Sequence, residues 1–146
     1  MPIKTRYLFT AAMDVEPAKE ALFNEVYDTE HVPNLLTVPG VIAVARFKTR
    51  ELTLSIGGEK KRIVIENEPR YQALYEIESP EVLVSDAWTR AVEEGRWPGQ
   101  VRQYTKNRRH VLYGRLGGRA GPFSLSPPRG RAGGRARPPR GGGAAF

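Results

Sequence analysis

His31 is one of only two histidines in the chain, and it stands inside Tyr27-Asp28-Thr29-Glu30-His31-Val32-Pro33. An imidazole near its ordinary pKa of about 6.5 takes or gives a proton at cellular pH, which makes it the first candidate for acid–base chemistry. On a helix, Phe23, Tyr27 and His31 fall in one row at fourfold spacing. That row sets a proton carrier, a phenol and an aromatic platform along one wall. Tyr27 is read with His31 as the catalytic pair, and Phe23 as a substrate contact. Glu30 points about 100° away from its neighbour on a helix, so it orients the imidazole poorly and suits an ion pair or water better. Asp28, three residues from His31, is better placed. The competing role for His31 is structural, satisfying carbonyls at a helix C-terminus, where partial negative charge favours it.

Arg46 shares an apolar strand face with Ile42 and Val44. A charge there asks for an anion, either a substrate carboxylate or enolate, or a protein acid such as Glu76; the internal acid is the preferred partner. Arg46, Tyr75 and Trp97 join Phe23 as substrate-binding candidates. Tyr7, Tyr71 and Tyr75 have strand spacing and suit the core or an interface, with a hydroxyl available to a ligand. Trp88 fits the core, and Trp97, before Pro98-Gly99, fits a lid or dimer contact. His110 falls in the basic run Lys106-Asn107-Arg108-Arg109-His110, where a solvated side chain is expected. The two histidines are not at i, i+4 on one helix, and no H-E-x-x-H or H-x-H occurs, so no metal site is expected. There is no G-x-G-x-x-G after a strand and no P-loop, and no cofactor is expected. His31 is of the type that ligates haem, but nothing else in the sequence asks for one.

The elements that must position these residues follow from periodicity. Residues 3 to 13 alternate, with Ile3, Tyr7, Phe9, Ala11 and Met13 on one face. Asp14 is a candidate cap and Pro17 suits a first helical turn. The first helix carries Ala18, Leu22 and Val26 beside the Phe23 row, and Pro33 ends or kinks it near His31. Val41–Lys48 is β-rich. ELTLSI and KRIVIE flank Gly57-Gly58-Glu59-Lys60, read as a hairpin tip. Tyr71–Glu78 alternates again, and Ser79-Pro80 opens a second helix with Leu83, Ala87, Ala91 and Val84, Trp88, Val92 inward and Gly95 closing it. A last strand lies within 101 to 116. The order β-α-β, hairpin, β-α-β is that of a split βαβ, ferredoxin-like sandwich of the α+β class. Both helices on one face leave the other face of the sheet bare, and a second copy of the sheet is its simplest cover, so a homodimer is expected.

The net charge of +7 resides in the C-terminal stretch. From Gly117 onward there are six arginines and no acid, against 17 basic and 16 acidic residues before it. Residues 117 to 146 hold 9 Gly, 6 Arg, 5 Pro and 5 Ala, too little apolar surface to offset the entropy of ordering them. The expected organisation is therefore a domain over 1–116 and a disordered tail over 117–146. Nucleic acid is weighed only for that tail, and without aromatics among the arginines it is the minor reading. The absence of cysteine excludes disulfides, thiolate metal sites and cysteine nucleophiles. No apolar run approaches the roughly 18 residues of a membrane span, and the N-terminus reads as a strand rather than a signal peptide. A cytoplasmic location without membrane contact is expected.

The Tyr27–Pro33 stretch, with Leu35, Val38-Pro39-Gly40-Val41 and Ala45-Arg46-Phe47, resembles the dimeric α/β-barrel superfamily, in particular its EthD-like branch. Tyr71–Glu78 followed by Ser79-Pro80-Glu81 resembles the third strand and second helix start of that group. The resemblance covers about residues 5 to 115 and implies two ferredoxin-like sheets paired face to face. For activity, it implies cofactor-independent proton transfer or oxygenation on a small aromatic or polyketide-like compound, with His31 as acid/base. The alternative is a non-catalytic dimeric barrel that holds a small apolar ligand or supports a partner.

Overall fold

A computed structural model describes residues 4–117 of the chain. β1 (Tyr7–Val15) leads through a 3-10 turn at Pro17–Lys19 into α1 (Glu20–Val26), a wide π turn at Tyr27–His31 and α2 (Val32–Leu36). Then come β2 (Val41–Lys48), β3 (Leu52–Ile56), β4 (Glu59–Ile63) and β5 (Tyr71–Ile77). A 3-10 turn at Pro80–Val84 precedes α3 (Asp86–Ala91), and a second π turn at Trp97–Val101 and a 3-10 turn at Arg102–Tyr104 lead into β6 (Thr105–Gly114). The four long strands lie in the order β2-β5-β1-β6, and every pairing is antiparallel. The expected α+β, ferredoxin-like sandwich with an inserted β3–β4 hairpin is what forms.

Burial follows the period-two pattern. Tyr71, Ala73, Tyr75 and Ile77 of β5 are all buried against the helices, alternating with the partly exposed Gln72, Leu74 and Glu76. Phe23, Val26 and Leu35 supply the helical side. Each such large side chain stabilises the fold by about 1.5–3 kcal/mol through the water it sheds. On the other face, β-register places Ala45, Leu74, Thr10 and Val111 in one row across the sheet, and Phe47, Gln72, Ala12 and Arg109 in the next. Phe47, Val111 and Tyr113 remain exposed there.

Local departures from expectation have identifiable causes. Pro33 has no N–H for the carbonyl four residues back and crowds it, yet the helix does not end. It widens instead into the π turn at His31 and resumes as α2. Asp14 does not cap the helix; its carboxylate takes the Arg70 N–H at 2.8 Å and the Asn107 Nδ2 at 3.0 Å. In the second helical region Ser85, not Ser79, is the side-chain cap, accepting the Trp88 N–H, so α3 is short. The hairpin turns on Gly57-Gly58 alone, both with positive φ, as a two-residue primed turn requires, while Glu59 and Lys60 pair in β4. A bulge in β2 between Val41 and Ala43 sets Ile42 aside, so Arg46 shares its helix-side face with Val44 but not with Ile42.

Among the described residues, no helix is long and apolar enough to cross a membrane. The expectation of a disordered tail lies outside the described residues, apart from Gly117.

Candidate functional site

Between the sheet and the helices lies a cavity of about 190 Å³. Its floor is Phe9, Ala11 and Met13 of β1 with Tyr75 of β5. The helical side contributes Tyr27, His31 and Leu35, and the wall beyond is Trp88, Val92 and Trp97. Arg102, Arg108 and His110 complete the lining, and no acid is part of it. The first candidate, His31, is thus brought to a cavity, together with Tyr27, Tyr75 and Trp97.

The two π turns meet at this site. His31 ends one and Trp97 begins the other, and their rings stack with centroids 4.3 Å apart and planes 20° apart. Tyr27 meets His31 edge-on at 5.0 Å. Single π turns recur at functional sites because the extra residue re-aims a side chain. The acid beside His31 has a different task. Glu30 accepts the backbone N–H of Arg96 at 2.8 Å and its Nε at 2.6 Å, while Arg96 Nη2 reaches Glu25 at 3.1 Å. These bonds, the backbone one first, hold the Glu30 carboxyl below the usual carboxylate range. Gly95 makes the approach possible: its φ is +71°, and a Cβ there would sit 2.5 Å from Glu30 Oε1. The Glu30–Arg96 clamp therefore ties the histidine's turn to the tryptophan's turn.

His31 is only 5 % exposed. Burial, reinforced by the charges of Arg102 and Arg46, pulls its pKa from 6.5 to about 4, so the imidazole is neutral at cellular pH. Its Nδ1 is buried and has no hydrogen-bond partner among the described residues. A helix-end role in satisfying carbonyls would use such an N–H, and none is made from Nδ1. Across the cavity the Tyr27 and Tyr75 hydroxyls lie 3.3 Å apart. One donates to the other, leaving a second O–H to donate elsewhere. Burial raises both phenols above their ordinary pKa, despite the opposing charge of Arg46, so both remain protonated donors.

Phe23 and Arg46 sit elsewhere. Phe23 is fully buried, packed on Tyr71 and Tyr27 at 5.0 and 5.4 Å between ring centroids, and does not line the cavity. Arg46 lies behind Tyr27, its guanidinium 4.4 Å from that ring. It donates to Asp28 at 2.7 Å and to Asn24 at 2.8 Å, so its internal partner is Asp28 rather than Glu76. Trp88 is half-buried and lines the cavity, 5.6 Å from Tyr75.

Residues 102 to 110 were less legible. His110 is exposed, as a basic run suggests, yet it lines the cavity and stacks on Phe9 at 5.9 Å. Its pKa is lowered, first by burial and then by Arg108. Register alone would have placed it, since His110 pairs with Ala11 on the helix side of β1. The anchoring of Arg108 depends on a bulge. Between Ala12 and Asp14 the partner strand spends an extra residue, and Asn107 adopts φ 53°. That shift brings Arg108 to the same side as Thr105, whose Oγ1 accepts its Nε at 2.9 Å. Among the described residues, no group of three or more acids and histidines is placed to hold a metal.

No protein-family model and no curated protein matches the sequence. Among solved structures, the chain is similar to an ethyl tert-butyl ether D (EthD) family protein from Bacillus halodurans C-125, with a TM-score of 0.48 and 10% sequence identity, covering 75% of this chain and 99% of that one.

Proposed function

We propose that the chain is a small-molecule enzyme of the EthD-like type, in which His31 takes a proton from a small aromatic or polyketide-like compound without a cofactor. The observation that carries this reading is a neutral, buried imidazole on a cavity with two protonated phenols and no acid. A proton removed from carbon leaves a carbanion or enolate. Beside it, His31 becomes an imidazolium whose charge is stabilised by the new anion in a low-dielectric site. The free hydroxyl of the Tyr27–Tyr75 pair donates to the developing oxyanion. These interactions exist only once charge has moved, which is the condition for lowering a barrier rather than merely binding. Cofactor-independent oxygenation begins from the same carbanion, to which dioxygen then adds.

A non-catalytic ligand holder is the second reading, and the unpartnered Nδ1 favours it. A general base is ordinarily oriented by a second group on its other nitrogen, and His31 has only Trp97 stacking to fix its ring. Capture of metabolites from a cell extract on wild-type protein and on His31→Gln tests the shared part of both readings. Compounds held by the wild type and lost from the folded variant place His31 at the ligand, whereas identical capture by both removes it.

The proposed assembly is a homodimer through the outer sheet face, where Phe47 of one edge strand and Val111 and Tyr113 of the other are exposed, flanking small buried residues of the centre such as Thr10 and Ala12. Isolated exposed apolar residues are ordinary on a monomer, but large ones at both edges of one sheet face are what a second copy of that face would cover.

A further inference from the structure

The mouth of the cavity has a chemistry of its own. Arg108 and His110, exposed side chains that nonetheless line the cavity, mark where it opens. Arg102 also reaches it, but its charge is matched by Glu93 at 2.8 Å, and a further bond goes to the Val92 carbonyl at 2.9 Å. Arg108 is matched by no carboxylate among the described residues. Its Nε and Nη2 bond to the Thr105 hydroxyl at 2.9 and 2.7 Å, and Nη2 also bonds to the Arg102 carbonyl at 2.9 Å. Nη1 carries no hydrogen bond among them. The guanidinium is therefore held still by neutral acceptors, and its charge is left for something else. This anchoring depends on the Asn107 bulge, which brings Thr105 to the side of Arg108 and is itself pinned by Asp14 at 3.0 Å and the Asn67 carbonyl at 2.8 Å. A bulge that costs a ladder position and ends in a fixed, uncompensated cation beside a cavity is a binding feature rather than a packing one.

Volume and walls decide what accompanies the anion. A void of about 150 Å³ lined by apolar groups accepts benzene, and this cavity measures about 190 Å³. One ring fits it, between Trp88, Trp97 and Tyr75, with space left for a substituent that reaches the mouth. We infer that the cavity takes a single-ring organic acid, its ring against the aromatic walls and its carboxylate at Arg108 and His110. This rests on reading the cavity as a ligand site and names the substrate class for it. With the acid group held at the mouth, the rest of the ring is presented to His31 and the tyrosine pair.

The two histidines make the test clean, because the chain has no others and both line this cavity. The full-length protein, labelled in its histidine rings, is titrated by NMR with benzoate, benzamide and 1-naphthoate. Benzoate is expected to move both histidine signals saturably. Benzamide, the neutral isostere, should bind about tenfold more weakly, as loss of a charge-assisted contact implies. Arg108→Gln should abolish that preference, whereas Arg108→Lys, which keeps the charge, should retain most of it; 1-naphthoate should bind more weakly than benzoate. Equal binding of benzamide and benzoate, or a benzoate affinity unchanged in folded Arg108→Gln, overturns the acid assignment and leaves the cavity reading standing. Binding of 1-naphthoate as tight as benzoate overturns the single-ring limit. If none of the three moves either histidine, the cavity reading falls together with this inference.

Discussion

Glu30 and Arg96 are joined twice, at 2.8 Å to the backbone nitrogen and 2.6 Å to Nε, and this pair sets the geometry of the adjacent His31–Trp97 stack. The clamp works only because Gly95 is in the left-handed region with no side chain facing Glu30. Gly95→Ala is therefore expected to lower stability by about 1–2 kcal/mol from backbone strain alone, with the carboxylate contact adding to it. Denaturant unfolding with tryptophan emission as the probe measures this. A mutant of unchanged stability and emission would show that the two turns are held by other contacts.

His31 also gives the protein an acid sensitivity whose sign is fixed. Its folded pKa, about 4, lies below the unfolded value of 6.5. The unfolded chain therefore binds the proton more readily, so stability is intact above about pH 6.5 and falls as the pH drops toward 4. The shift corresponds to about 3 kcal/mol at pH 4. His110, also lowered, acts in the same direction. Unfolding free energies at pH 7.5 and 4 should differ by distinctly less in His31→Gln than in wild type. The same pH dependence in both proteins would place the acid sensitivity elsewhere.

Phe23 tests the boundary between site and core. Buried beneath Tyr71 and absent from the cavity lining, it should behave as a core residue. Phe23→Ala is expected to cost about 3–5 kcal/mol, and Phe23→Leu far less, with ligand binding retained in the leucine variant. Loss of binding in a stable Phe23→Leu protein would return this residue to the site.

The limits of the sequence are visible in these same residues. Tyr27 and His31 were legible because apolar and aromatic residues at helical spacing must share a face, and the alternation of β1 and β5 identified the sheet that they face. Phe23 belongs to that row too, but periodicity gives a face and not a depth, and the π turn at Tyr27–His31 breaks the regular spacing just where it matters. The partner of Glu30 lies 66 residues away, and only the folded chain brings Arg96 to it. Arg108 was hidden for another reason: period two sets it on the face of His110, but its anchor Thr105 reaches that face only through the irregularity at Asn107.

The bare sheet face leads to an oligomeric expectation. The full-length chain should sediment as a dimer at micromolar concentration. Phe47→Glu combined with Val111→Glu, which sets like charges on that face, should give a folded monomer. A wild-type monomer, or a double variant that still dimerises, would move the contact away from these strands.

The central claim is that His31 removes a proton from carbon, and isotope exchange addresses it most directly. A compound captured by the wild-type protein is incubated with it in D2O, and deuterium entering its C–H positions is followed by NMR. Wild type should wash deuterium into the acidic position far faster than solvent does, and folded His31→Gln should lose that acceleration. A bound compound that gains no deuterium, or equal exchange in the variant, would contradict the claim.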